Sequence, residues 1–233
     1  MIKTVLFDLD GTLLPMDMDH FTTAYFKQLV KKVAPLGYDP EQLIAGIWAG
    51  TAAMVKNDGS STNEEAFWKY FVSLYGEKAL RDRPVFEEFY RVEFQEAKAH
   101  CGFTEKAAKT VQTLKENGYQ LVLATNPLFP AVATQSRVNW AGLSVDDFLF
   151  YTTYENSHYC KPNPKYYEEL LSHLSLDPRE CLMVGNDVAE DMIAETLGMQ
   201  VFLLTDCLIN KQNAPIDRYP QGGFDDLLAF LKI

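Results

Sequence analysis

Thr4-Val5-Leu6-Phe7-Asp8-Leu9-Asp10-Gly11-Thr12 lies just inside the start of this 233-residue chain, and its reading decides the fold. Ile2 to Phe7 is a short apolar run that ends at a glycine turn, the pattern of a buried strand. An acidic calcium loop is the rival reading of Asp8-Leu9-Asp10-Gly11. It fails because Gly11 stands fourth from Asp8 rather than sixth, and no glutamate stands twelfth.

Further along, the same strand signal recurs at Tyr119 to Ala124, Phe148 to Tyr151, Cys181 to Val184 and Val201 to Leu204. Helical stretches alternate with these strands: from Thr104 to Asn117-Gly118, Ala131 to Trp140, from Asn163-Pro164 onward, Asp187 to Leu197, and Phe224 to Leu231. Strands and helices in alternation predict an α/β fold, a Rossmann-like parallel sheet with helices on both faces.

Between the first strand and the rest, the rhythm is helical. The spacing predicts helices over His20–Val33, Pro40–Val55, Asn63–Tyr75 and Pro84–Lys98. Asp39 ahead of Pro40, and Thr62 three residues ahead of Glu65, supply start signals. A discontinuous core of residues 1–15 and 100–233 is therefore expected, with residues 16–99 inserted as a helical cap. The insertion holds 14 of the chain's 30 aromatic residues. Most must fill the core of a small bundle. One or two are left for a substrate pocket, with Trp48 a candidate.

Composition narrows the function. Lys and Arg number 21 against 32 Asp and Glu, a net charge of −11, which argues against a nucleic-acid-binding surface. No apolar run reaches the roughly 18 residues of a membrane span. The N-terminus lacks the form of a signal peptide, so a cytoplasmic location is expected. Cys101, Cys160, Cys181 and Cys207 form no C-x-x-C and are expected to be reduced. Neither His100-Cys101 nor His158-x-Cys160 has a partner pair at zinc spacing.

Polar clusters close the strands. Asp8-Leu9-Asp10-Gly11-Thr12 follows the first, Thr125-Asn126 the second, Lys161-Pro162 the third after a loop, and Gly185-Asn186-Asp187 with Asp191 the fourth. Ligands bind at the carboxyl ends of strands in open parallel sheets, so these clusters predict one site. A carboxylate can attack phosphorus, and a second one two residues away can move protons to and from oxygen. Thr125 and Lys161 suit phosphoryl oxygens. Asp8 and Asp187 converging on one point call for a hard cation such as Mg²⁺ between them.

With these motifs and their order, the sequence resembles the haloacid dehalogenase-like superfamily in its phosphatase branch. The resemblance spans nearly the whole chain, and the helical block sits where one cap class of that family is inserted. It implies Mg²⁺ dependence and Asp8 as the phosphorylated nucleophile. It implies Asp10 as general acid/base that also binds Mg²⁺ through its backbone carbonyl, and Asp187 as the other metal ligand. Thr125, Asn126 and Lys161 are expected to hold the substrate phosphate. Asn186, Asp191 and His20 are expected to support from behind, His20 by orienting the acid/base carboxylate.

Two departures are visible. Gly-Asn-Asp stands where Gly-Asp is commoner, and Pro15-Met16 follows Leu14 where Asp-Ser or Asp-Thr is frequent. The expected activity is hydrolysis of a small phosphorylated metabolite. A phosphomutase of the same superfamily and a non-catalytic binding protein are the alternatives, and neither substrate nor oligomeric state is legible.

Overall fold

The computed structural model describes residues 1–233. Six strands form one parallel sheet: β1 (Thr4–Phe7), β2 (Gln120–Leu123), β3 (Phe150–Tyr151), β4 (Cys181–Gly185), β5 (Gln200–Leu204) and β6 (Gln221–Gly222). Their order is β3-β2-β1-β4-β5-β6, so connections run outward in both directions from β1. Such a reversal opens a crevice at the carboxyl edge of the sheet. Register places that edge: Phe7 pairs with Leu123 on one side and Val184 on the other. Asp8, Ala124 and Gly185 are therefore neighbours at the rim.

Side chains alternate across the sheet as the strand period requires. Val5, Phe7, Leu123, Val184 and Phe202 face one way, into a cluster of 38 buried residues. Helices α5 (Glu105–Glu116), α6 (Ala131–Trp140) and α8 (Phe224–Leu231) pack on that face. Leu6, Val122, Met183 and Leu203 face the other way, against Tyr166, Tyr167 and Leu170 of α7 (Pro164–Leu174). Helices cover both faces, as expected.

The inserted block holds α1 (Met18–Val33), α2 (Pro40–Val55), α3 (Asn63–Tyr75) and α4 (Glu77–Arg91), followed by a 3₁₀ segment, Glu93–His100. Asp17 caps α1 through the amides of Asp19 and His20, and Thr62 with Glu65 forms the capping box of α3. Aromatic side chains of the block, among them Phe21, Tyr25, Phe89 and Phe94, belong to the same buried cluster as Val5 and Phe7 of β1. Insertion and sheet thus share one core. No helix is long and apolar enough to cross a membrane. All four cysteines are free thiols.

The structure corrects two expected helices and adds a strand. α4 begins at Glu77, not Pro84, and Pro84 lies inside it. Gly76, at φ +63, makes the break between α3 and α4, because a left-handed residue ends one helix and turns into the next. Asp187–Leu197 is no continuous α-helix. Asp191 turns its carboxylate back onto the amide of Asp187, and regular 3₁₀ structure starts only at Met192. β6 was not anticipated, since two residues carry no periodic signal.

Candidate active site

Four loops at the carboxyl edge of the sheet line one cavity of about 530 Å³. Asp8 and Asp10 reach it from β1, Thr125 and Asn126 from β2, and Asn186, Asp187, Glu190 and Asp191 from β4. The insertion supplies the opposite wall with Met18, Thr22 and Trp48.

Asp8 is held on both oxygens. Its Oδ1 accepts from Lys161 Nζ at 3.0 Å and its Oδ2 from the Thr12 hydroxyl at 3.1 Å. The Thr12 hydroxyl also lies 3.0 Å from Asn186 Oδ1, while Asn186 Nδ2 donates to the Cys207 carbonyl at 2.7 Å. Gly11 has φ +84, and a Cβ there would collide with the Asn186 amide. The glycine of the Asp8-to-Thr12 loop is therefore required twice, by backbone angle and by close approach.

Lys161 is buried, with its side chain 0 % exposed, and its ammonium bridges Asp8 Oδ1 and Asp191 Oδ1, the latter at 2.6 Å. Its two carboxylate partners hold it protonated against the burial that opposes charge. The expected phosphate-facing Lys161 is thus found beneath Asp8, as a fixed positive charge behind it. Asp191 holds the same lysine through Oδ1 and accepts from the Asp187 amide through Oδ2. Burial lifts its carboxyl to about 6, opposed by Lys161.

Asp10 carries the other cation. Arg137 of α6, whose side chain is 1 % exposed, donates from Nη1 to Asp10 Oδ2. The same guanidinium bonds the Ala133 carbonyl and the Thr134 hydroxyl, and its Cζ sits 4.5 Å from the ring centre of Phe129. Asp10 Oδ1 is buried with no hydrogen-bond partner. Burial raises the carboxyl of Asp10; Arg137 opposes the rise and the charge of Asp8 adds to it. His20 is not the residue that orients Asp10. It stands exposed near the start of α1, 3.9 Å from Asp17, and Arg137 occupies the role from the opposite side. A lone charged residue among the polar and apolar ones of Ala131–Trp140 was the one sequence signal for it.

Thr125 is buried on the cavity wall; its carbonyl accepts from the Thr152 and Tyr166 hydroxyls, and its own hydroxyl has no protein partner. Asn126 fixes loops to one another. Its Oδ1 accepts from the Lys161 amide at 3.2 Å, and its Nδ2 donates to Glu190 at 2.9 Å. Glu190, which sequence reasoning missed, has its carboxyl lifted to about 7 by burial, with Asp191, Asp187 and Asp8 adding to the rise. Asp187 Oδ1 caps the following turn through the amides of Ala189 and Glu190, leaving its second oxygen free of protein donors. Lys211, also unforeseen, is exposed at the mouth.

The cavity therefore gathers six carboxylates, Asp8, Asp10, Asp19, Asp187, Glu190 and Asp191, against Lys161, Arg137 and Lys211. An excess of oxygen anions fits a hard divalent cation. No three acidic or histidine side chains converge into a ready cage. A cation here would draw on Asp8, a free oxygen of Asp187, a backbone carbonyl and water, the sparing kind of coordination that Mg²⁺ accepts.

The family model of the haloacid dehalogenase-like hydrolases matches residues 2–194. The chain belongs to that family. Pyrophosphatase PpaX of Bacillus velezensis is 23 % identical over 197 residues, covering 84 % of this chain and 80 % of that protein. Among solved structures, a 2-haloacid dehalogenase from Pseudomonas syringae aligns at TM-score 0.66 and 20 % identity, over 100 % of this chain and 99 % of that one. A predicted phosphoglycolate phosphatase from Haemophilus somnus aligns at TM-score 0.59 and 19 % identity, over 99 % and 98 %. These two hydrolases share the fold of this chain. The family's hydrolytic chemistry is the frame in which the site is to be understood.

Proposed function

We propose that this haloacid dehalogenase-like hydrolase is a Mg²⁺-dependent cytoplasmic phosphatase that hydrolyses a small phosphorylated metabolite through an aspartyl phosphate on Asp8. The observation that carries the proposal is the pairing of Asp8 and Asp10 on one cavity at the reversal point of the sheet, each anchored by its own buried cation. The names of relatives, a pyrophosphatase and a predicted phosphoglycolate phosphatase, support phosphoryl hydrolysis as the class.

Asp8 attacks phosphorus as the bond to the leaving oxygen breaks, and Asp10 gives that oxygen a proton. Water then attacks the acyl phosphate, Asp10 takes back a proton, and inorganic phosphate leaves. Lys161 and Thr12 hold the Asp8 carboxylate in one orientation, so little reorganisation accompanies attack. Thr125 offers its free hydroxyl to a phosphoryl oxygen. Asp8, the Asp10 carbonyl and Asp187 would hold Mg²⁺, which when bound would neutralise phosphoryl charge.

Release of phosphate from p-nitrophenyl phosphate, with and without Mg²⁺, tests the proposal. Mg²⁺-dependent release that disappears in Asp8→Asn is the expected result. Release that is indifferent to both overturns it.

A further inference from the structure

A second cavity, of about 140 Å³, lies between the insertion and the core and shares Met18, Thr22, Trp48, Leu128 and Phe129 with the catalytic one. Its character is different. Of its 16 wall residues, 14 are hydrophobic and none is charged. An apolar cavity near 150 Å³ stays dry and accepts a molecule the size of benzene. One wall residue, Trp68, is 7 % exposed.

We infer that this chamber seats the alcohol portion of the substrate, and that the portion is a compact uncharged apolar group about the size of one aromatic ring. The inference rests on the phosphatase proposal for the adjoining cavity and specifies its substrate class. Three features support it. The chamber adjoins the wall that carries Asp8 and Asp10, so a phosphate at Asp8 and a ring in the chamber belong to one molecule. Its surface repays burial of a ring and penalises burial of a charge, because no charged side chain lines the wall to neutralise one. Phe129 faces both cavities and backs onto Arg137, so the ring and the proton-transfer carboxylate are served by one side chain. Pyrophosphate and phosphoglycolate, both small and anionic beyond their reacting phosphate, would leave the chamber unfilled.

Binding separates this inference from the phosphatase proposal. Benzylphosphonate and ethylphosphonate carry the same head group and cannot be hydrolysed at phosphorus by loss of an alcohol. Calorimetry with millimolar Mg²⁺ should show benzylphosphonate binding about 10- to 100-fold more tightly, the range for burying one ring. In Thr51→Phe, which places a ring in the chamber, that ratio should fall towards one. Equal affinities in the wild type, or a ratio that Thr51→Phe does not lower, overturn the chamber. Turnover of benzyl and ethyl phosphates, esters of alcohols of similar acidity, is then measured on the same protein. A benzyl preference in kcat/KM supports both readings. Benzyl-selective binding with no turnover of either ester supports the chamber and overturns the phosphatase.

Discussion

Arg137 reaches Asp10 across 127 residues of sequence, from a buried position on α6 to the rim of β1. The pair leaves Asp10 with one bonded oxygen and one bare one. A carboxylate held through one oxygen keeps a fixed orientation, and its other oxygen has no protein partner to give up.

Arg137→Met keeps the bulk and removes the fork. We expect kcat to fall by about 10- to 100-fold with KM little changed, because Asp10 would be free to rotate. Loss of one partner of a buried pair should also lower stability by about 3 kcal/mol. Steady-state kinetics and urea melts give both values. A proportional rise in KM without a fall in kcat would assign Arg137 to binding instead.

Asp8→Asn preserves shape and one acceptor for Thr12 but cannot form an acyl phosphate. Turnover should drop below detection while circular dichroism is retained. Beryllium fluoride soaked into crystals of the wild type should attach to Asp8. Activity within about tenfold of wild type, roughly 1.4 kcal/mol of barrier, would remove Asp8 from the nucleophile's role.

Asp10→Asn should cost about 10²–10⁴-fold in kcat, the usual contribution of a positioned acid or base. Metal affinity should change little, since the proposed contribution of Asp10 to Mg²⁺ is its backbone carbonyl. Titration calorimetry with Mg²⁺ on the variant distinguishes the two. Collapse of metal binding would make the carboxylate itself the ligand.

Millimolar Mg²⁺ should raise the melting temperature, because it binds the folded site and relieves repulsion among the cavity's carboxylates. Asp187→Asn retains an acceptor for the amides of Ala189 and Glu190 but halves the anionic pair facing the cation. The Mg²⁺-induced shift should shrink markedly in that variant. An undiminished shift would place the cation elsewhere.

The parts of this site that share a strand end could be read from sequence, and the parts that meet across the chain could not. Asp8, Asp10, Thr125, Asn126, Asn186, Asp187 and Asp191 all announce themselves as polar clusters after apolar runs, and the structure brings them to one cavity. Lys161 was expected at the site but facing substrate. Its burial follows from Asp191, whose inward carboxylate no local pattern reveals. Arg137 is the one charged residue of α6, where a cation suggests a solvated face, and its partner is far away in sequence. His20 shows the reverse error: nearness to Asp10 in the chain counted for nothing, because α1 turns that side chain outward. Helix ends followed the same division. Capping by Asp39, Thr62, Thr104 and Asn163 acts within three residues and was legible at the start of α2, α3, α5 and α7. Pro84 misled because tertiary packing tolerates it within α4.

The position of β1 at the centre of the sheet has a consequence for how the protein is made. β1 leaves the ribosome ahead of the other strands, yet Thr4 must wait 116 residues for Gln120 of β2, and longer for Cys181 of β4. Meanwhile the four helices of the insertion emerge and form from local contacts, which close quickly. An apolar strand without neighbours is open to misassociation throughout that interval. The nascent chain therefore has its greatest need of a chaperone between emergence of β1 and emergence of β2. The strand that leads to the candidate nucleophile is made ahead of the other five and gains its first neighbour only after the whole insertion has followed it.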